Sequence, residues 1–579
     1  MKTLLVAINA KYIHSNLAIY SLRAYAKKIG YEVDMAEFTI NQSVEYMLKE
    51  IYRLSPDFIG FSCYIWNISF VRQLANEVAK ILPECKIWFG GPEVSYDCEK
   101  VLRENDYLDG IMIGEGEKEF VNVLNAYQNE ESLENIDGVA FLKRDVKDFI
   151  MNPPKGYINM DEIPFPYKDF KNMAHRIIYY ESSRGCPYSC SYCLSSVDKK
   201  VRYRSIELVK KELQIFLDEK VPQVKFVDRT FNCDRKRTAF IWQYIKNHDN
   251  GITNFHFEIS ADIITEDEIK LLSTMRPGLV QLEIGVQTTN EKTIDAIRRK
   301  MDFGRLSYIV NKIHEPGNVH QHLDLIAGLP YEDYESFEKS FNDVYNLKPQ
   351  QLQLGFLKVL KGSYMSECAK GQGIVYCSYP PYEVLYTPWL PFSDVLRLKG
   401  IEEMVEVYYN SGQFVTTMNY LEGFFETPFK MYEYFSEYYE KNGFFDCGQA
   451  RITRYEIIKN ALNDKAPLVS QTLVHDLYIR ENMKSRPSFA QDMDKYKQAA
   501  RRLYMDEELI RKLLPDYNMY TTKQIERMTH IEHYDVDMAK LSTSGKIETK
   551  EVFYLYDYHN ISPVDQSARI IDVTRFFIT

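Results

Sequence analysis

The sequence predicts an α/β protein: an N-terminal doubly wound parallel sheet, a central partial (β/α)6 TIM-like barrel and a mostly helical C-terminal domain. Three observations carry this reading. Strand and helix patterns alternate through residues 1–145. Six further strand candidates follow between Ile177 and Leu360, and most intervals between them have room for a helix. After residue 376 clear strand alternation is missing.

In the first region Leu4-Leu-Val-Ala-Ile8 reads as a strand, Leu17 to Lys28 as a helix closed by Gly30, and Val33 to Phe38 as a second strand. Phe58–Ser62 is a third. Ile87–Phe89 is a fourth, running into Gly90-Gly91-Pro92, and Gly110–Ile113 a fifth, running into Gly114-Glu-Gly-Glu117. Short polar or glycine-rich turns after most strands are the layout of a doubly wound sheet with a ligand at the strand ends. Residues 146–175, with Pro153, Pro154, Pro164 and Pro166, read as an extended linker. The barrel is expected over residues 176–375, on strands Ile177–Glu181, Val224–Asp228, Phe255–Ser260, Val280–Val286, His322–Ala327 and Leu352–Val359. Residues 376–579 read as a helical cap or substrate domain, with amphipathic helices at Ile401 to Tyr409, Lys430 to Lys441 and Met493 to Leu514.

A chain of 579 residues is too long for one core. A net charge of −11 argues against a nucleic-acid-binding surface. No apolar stretch reaches the ~18 residues of a membrane span. The first apolar run is too short for the core of a signal peptide. These features predict a cytoplasmic protein that does not engage a membrane.

The most informative local feature is Cys186-Pro-Tyr-Ser-Cys190-Ser-Tyr-Cys193, which follows the apolar run Ile177-Ile-Tyr-Tyr180 and the turn Arg184-Gly185. A four-iron cluster takes four ligands, usually thiolates; this loop supplies three and leaves one iron open. The plainer alternative, structural zinc, normally wants a second ligand pair. None lies nearby, since the next cysteine is Cys233. An iron–sulfur cluster is the favoured reading.

With aromatic Tyr192 before its last cysteine, the triplet resembles the radical S-adenosylmethionine (radical SAM) signature. The resemblance implies a [4Fe-4S] cluster on Cys186, Cys190 and Cys193 whose open iron chelates SAM, and reductive cleavage of SAM to a 5′-deoxyadenosyl radical. It also implies an electron donor such as flavodoxin or ferredoxin. Polar residues crowd the ends of the barrel strand candidates, where a packed interior would not want them. They are Asp228 and Thr230, Glu258 and Ser260, Glu283 and Gln287, and Asp324. Glu283-Ile-Gly-Val-Gln287 and the turn Gly328-Leu-Pro330 resemble the radical SAM barrel, in which such positions contact SAM. Tyr192 and Ile326 are candidates for the adenine pocket.

The first region resembles a cobalamin-binding domain, through Tyr12 and His14 after strand one, Ser62-Cys63-Tyr64 after strand three, Gly90-Gly91-Pro92 after strand four and Gly114-Glu115 after strand five. The sequence departs from the family pattern Asp-x-His-x-x-Gly, with Tyr12 in the aspartate place and Leu17 in the glycine place. His14 as a cobalt ligand therefore stands beside an ordinary loop histidine making a hydrogen bond. The domain order resembles the B12-dependent radical SAM enzymes. It implies hydrogen abstraction from a carbon of a small-molecule or peptide substrate, followed by methyl transfer from methylcobalamin. Relatives that cyclise, contract rings or oxidise without methyl transfer stay open as an alternative. So do an RNA-modifying radical enzyme and a non-enzymatic cobalamin sensor. No residue in the sequence identifies the catalytic group that would select among these reactions.

Overall fold

The computed structural model describes residues 1–143, 148–462, 464–483, 485–562 and 567–578. The chain divides into two compact units. One comprises Met1–Val319, Gly328–Asp333 and Phe356–Pro391, the other His320–Ala327, Tyr334–Gly355 and Phe392–Thr579.

The first unit opens with β1 (Thr3–Asn9), β2 (Val33–Thr39), β3 (Phe58–Ser62), β4 (Lys86–Gly90), β5 (Gly110–Met112), β6 (Val139–Leu142) and β7 (Phe149–Asn152) in the sheet order β2-β1-β3-β4-β5-β6-β7. The first five are parallel and β6 and β7 add antiparallel. Every residue of β1 is buried, as its unbroken apolar run requires of a strand covered by helices on both faces. Leu4, Val6 and Ile8 enter the core on one face, Leu5 and Ala7 that on the other. The order 2-1-3-4-5 has its switch point beside β1, where such sheets bind ligands.

The linker expectation is corrected here. Residues 146–147 lie outside the described residues, but β7 pairs with β6, so the sheet extends to Asn152. Farther on, Ile158, Met160, Ile163 and Tyr167 are buried despite the prolines. Arg204 fixes this stretch by donating to the carbonyls of Met160 and Ile163 and pairing with the buried carboxylate of Glu212 at 2.5 Å. Removing one partner of a buried pair leaves the other uncompensated. Arg204→Ala is therefore expected to cost about 3–5 kcal/mol in a denaturant titration; a loss under 1 kcal/mol would contradict this.

All six expected barrel strands form. After β8 (Ile178–Tyr180), the short antiparallel pair β9 (Ser183–Arg184) and β10 (Arg202–Tyr203) brackets the cysteine loop. Then come β11 (Gln223–Phe226), β12 (Asn254–Ile259) and β13 (Val280–Gln287), parallel in the order β8-β11-β12-β13. The fifth and sixth, β14 (His320–Ala327) and β15 (Gln351–Phe356), belong to the second unit. The loop after β1 continues the first sheet's influence onto β8: Ile177 N donates to Ile13 O at 2.7 Å, and His14 bridges Ile177 in parallel.

The rest of the second unit is helical from Phe392 to Met528, with Pro428–Lys441 where a helix was expected. The expected helix Met493 to Leu514 is instead two, Lys497–Met505 and Glu507–Leu513, because Asp506 leaves the helical conformation and caps Leu509 N. A three-stranded antiparallel sheet beyond residue 528, centred on Thr549–Ile561, was not anticipated. No helix among the described residues is long and apolar enough to cross a membrane.

Candidate functional site

A cavity of about 980 Å³ opens at the carboxyl ends of β1, β3, β4 and β5 and of β8, β11 and β12, all within the first unit. That is the upper end of the ~300–1,000 Å³ typical of ligand pockets. From the first sheet it is lined by His14, Ser62, Tyr64, Gly90, Gly91, Pro92, Gly114 and Glu115, and from the barrel strands by Tyr179, Glu181, Lys225, Arg229 and Glu258. Gly91 fits closely: at φ +116° it lies where a Cβ would meet the Cys63 carbonyl oxygen at 2.5 Å. Tyr64 and Trp66 stack on the wall with ring centres 4.5 Å apart.

Two expected cobalamin residues do not reach this cavity. Tyr12 is exposed and packs on the Arg176 guanidinium. Cys63 is fully buried in the core, and burial pushes its thiol far above the ordinary range. His14 lines the cavity, but its Nδ1 is engaged 2.8 Å from Tyr179 Oη. Burial, with help from nearby Lys11 and Lys225, lowers its pKa and favours the neutral ring.

The cysteine loop is held from several sides. Cys186 N donates to Asp198 O at 2.9 Å, Ser191 N to Ile297 O at 2.9 Å, and Lys199 Nζ to Tyr188 O at 2.6 Å. Cys186 and Cys190 are buried and Cys193 half-buried. Among the described residues no three His, Cys, Asp or Glu side chains are grouped as one metal ion would need. A cubane does not need that grouping, because its thiolates bind different irons. Just ahead of the loop, Arg184 pairs with Glu117 at 2.5 Å, Glu181 at 2.9 Å and Glu115 at 3.4 Å. Arg202 pairs with Glu115 as well. The cysteine loop and the glycine-rich turn after β5 are thus tied by charge.

Of the expected SAM residues in this unit, only Glu258 lines the cavity. Asp228 is spent on two serines: its carboxylate accepts from Ser182 N at 2.9 Å, Ser182 Oγ at 2.7 Å and Ser183 Oγ at 2.6 Å. Burial raises its pKa and these bonds oppose the rise. A buried donor left without an acceptor costs about 1–3 kcal/mol. Asp228→Ala is therefore expected to lower the melting temperature by several degrees and to loosen the cysteine loop, read as a lower iron content after reconstitution. Unchanged iron would make Asp228 a fold residue only.

Thr230 Oγ1 is 3.6 Å from Cys186 Sγ. Ser260 donates to Asp262 at 2.7 Å. Glu283 accepts from Lys225 at 2.8 Å and lies 3.0 Å from His256. Burial opposes its charge, but His256 and Lys225 outweigh that and hold it well below the usual carboxylate range. Gln287 ends β13 at φ +73°, and its buried Oε1 has no hydrogen-bond partner. Tyr192 Oη lies 3.3 Å from the guanidinium of Arg299. In the second unit, Asp324 and Ile326 sit on alternate positions of β14, with Asp324 3.0 Å from His322. Lys225, His256, Arg184, Arg202 and Arg299 were missed in the sequence, because each is brought in by strand register or by a distant loop and no local spacing announces it.

Three family profiles match the chain: "B12 binding domain" at residues 3–124, "Radical SAM superfamily" at 180–344, and "Protein of unknown function (DUF4080)" at 371–556. The chain therefore carries a B12-binding domain and a radical SAM domain, and its cofactors are cobalamin, a [4Fe-4S] cluster and SAM. An uncharacterized methyltransferase of Pyrococcus horikoshii is 28% identical over 346 residues, which cover 55% of this chain and 71% of that one. The anaerobic magnesium-protoporphyrin IX monomethyl ester cyclase of Cereibacter sphaeroides is 21% identical over 413 residues, 67% of this chain and 61% of that one. Among solved structures, the cobalamin-dependent S-adenosylmethionine radical enzyme OxsB with aqua-cobalamin bound aligns at a TM-score of 0.60 and 13% identity, over 82% of this chain and 80% of that one. This last likeness is one of fold.

The residues present fit these groups. The glycine cradle and the cavity size suit cobalamin, the three cysteines suit a cluster with one open iron, and the orphaned Gln287 Oε1 at the end of β13 suits a polar ligand.

Proposed function

We propose that this protein is a cobalamin-dependent radical SAM methyltransferase acting on a carbon of a small-molecule or peptide substrate. The observation behind the proposal is one cavity faced by the strand ends of both the B12 binding sheet and the radical SAM strands. When bound, the cluster and SAM supply hydrogen abstraction and cobalamin supplies the methyl group. Cys186, Cys190 and Cys193 would hold three irons. Tyr192, Thr230, Glu258, Ser260, Glu283 and Gln287 would surround SAM, with Asp228 positioning the loop. His14, Ser62, Tyr64, Gly90, Gly91, Pro92, Gly114 and Glu115 would enclose cobalamin, with the His14 ring oriented through Nδ1 by Tyr179. Lys225 and His256 keep Glu283 ionised through the neutral range, so it accepts hydrogen bonds and does not donate a proton there. A flavodoxin or ferredoxin would deliver the electron, in a reducing cytoplasm.

The test is anaerobic reconstitution with measurement of iron, sulfide and cobalt, then addition of SAM and a low-potential reductant. Both 5′-deoxyadenosine and S-adenosylhomocysteine are expected, and a product heavier by one methyl group. A product without that mass gain would favour the second reading, radical chemistry without methyl transfer, toward which the cyclase relative points. Absence of cobalt uptake would sink both.

A further inference from the structure

The cysteine loop has an outer face whose charge runs against that of the chain. The whole protein carries a net charge of −11. Beside the loop, two short basic segments meet: Lys199 and Lys200 on the run into β10, and Arg235 and Lys236 at the start of the helix Arg235–Asn247. All four side chains are exposed. Tyr203 joins the two segments. Its hydroxyl lies 3.2 Å from Cys233 Sγ, just ahead of that helix, and the Arg237 guanidinium stands 5.1 Å from the centre of its ring. Lys199 reaches the cysteine loop itself, donating to Tyr188 O at 2.6 Å and to Ser189 Oγ at 2.9 Å. Between Cys186 and Cys190 the loop exposes Pro187 and Ser189. Val197 and Tyr203 add exposed apolar surface.

The fold does not use these cations. Among the described residues no carboxylate pairs with Lys199, Lys200, Arg235 or Lys236. The nearest acids in sequence are engaged: Asp198 pairs with Arg202 at 2.6 Å, and Asp234 accepts from Arg237 N at 3.1 Å. The helix gains nothing from them either. Its first turn holds Arg235, Lys236 and Arg237 and no acidic residue, against the helix dipole. A local rule broken without local gain points to function. On the reading that Cys186, Cys190 and Cys193 hold the cluster, we propose that this face is the docking surface for an acidic low-potential electron carrier, a flavodoxin or ferredoxin, whose carboxylates meet Lys200, Arg235 and Lys236 around Tyr203. In the encounter the reduced carrier loses one electron and the cluster gains it; no proton or group passes. Such encounters use small interfaces, and opposite charge steers them. A long polyanion would have to run past the patch over a chain of net charge −11, whereas a small carrier needs only the patch.

The experiment uses the full-length reconstituted protein, as wild type and as the combined variant Lys200→Glu, Arg235→Glu and Lys236→Glu. Lys199 is kept because it also holds the loop, and acidic residues suit the helix start. Two reductants are compared: an acidic flavodoxin in its hydroquinone form, and photoreduced deazariboflavin, which is small and uncharged. Reduction is followed by the loss of the cluster's visible absorbance. At low salt flavodoxin is expected to reduce the wild type about tenfold faster than the variant or more, and added salt to slow the wild type toward the variant. Both proteins are expected to hold equal iron and to react alike with deazariboflavin. Equal flavodoxin rates at low salt overturn the proposal. If the variant holds no iron, the wild type decides: a flavodoxin rate that does not fall with salt overturns it. Binding of a fluorescent single-stranded RNA through the same three residues, with flavodoxin rates unaltered, assigns the patch to nucleic acid and overturns it too. Absence of iron from the wild type removes the cluster reading on which the proposal rests.

Discussion

Replacing Cys186, Cys190 and Cys193 together by alanine is expected to bring iron and sulfide to background and to abolish 5′-deoxyadenosine formation, while cobalamin uptake survives. The separation follows from the geometry. The three cysteines lie between β9 and β10 and are not among the residues that line the cavity, although Gly185, Ser195 and Asp198 of the same loop are. The loop itself is held by hydrogen bonds from Cys186 N, Ser191 N and the Lys199 ammonium that the substitution leaves in place. Iron retained in the triple variant would place the cluster elsewhere and end the radical SAM assignment of this loop.

Gly91→Val should give the reverse pattern, with iron intact and cobalamin binding weakened. At φ +116° a side chain carries backbone strain of about 1–3 kcal/mol. The Cβ would in addition press on the Cys63 carbonyl oxygen at 2.5 Å, so either that backbone or the turn after β4 must move. At about 1.4 kcal/mol per tenfold, a ten- to hundredfold weaker affinity is the rough expectation, read by titration with cobalamin and its absorbance. Gly30→Ala is the control. Gly30 has φ +107° but nothing within 4 Å of its missing Cβ. It shares the strain without the collision and should leave cobalamin binding unchanged. Equal binding by Gly91→Val and wild type would mean that the cavity is not the cobalamin site.

The contrast between legible and hidden features has physical causes. The cysteine triplet is a local spacing, and β1 is a continuous apolar run bounded by turns, so both stand in one short window of sequence. The turns carrying Gly91 and Gly114 are legible because positive φ and the close approach of Cys63 and Pro154 select glycine. By contrast the Lys225–Glu283–His256 group is assembled by register: Lys225 lies opposite His256 in the neighbouring strand, and Glu283 opposite Glu258 in the next. Nothing within any one of those strands points to the others. The expectation of an extended linker over residues 146–175 rests on four prolines and few apolar runs, whereas Arg204 supplies buried donors to that stretch from more than forty residues away. The C-terminal sheet was missed because the middle of Thr549–Ile561 is buried on both faces, so its side chains do not alternate between apolar and polar.

The seam between the loop after β1 and Ile177 bears on how this architecture can be divided. A partial barrel is open, and β8 is an end strand. Exposed strand edges invite pairing with other chains, and proteins blunt them by covering or shortening them. Here the covering comes from the preceding sheet, through Ile13, His14 and the Ser15 hydroxyl on the Ile177 carbonyl at 3.0 Å. A fragment beginning at the barrel would bare that edge and be prone to self-association. The B12 binding sheet thus serves its neighbour as an intramolecular guard against aggregation, a role it would keep even with its ligand absent.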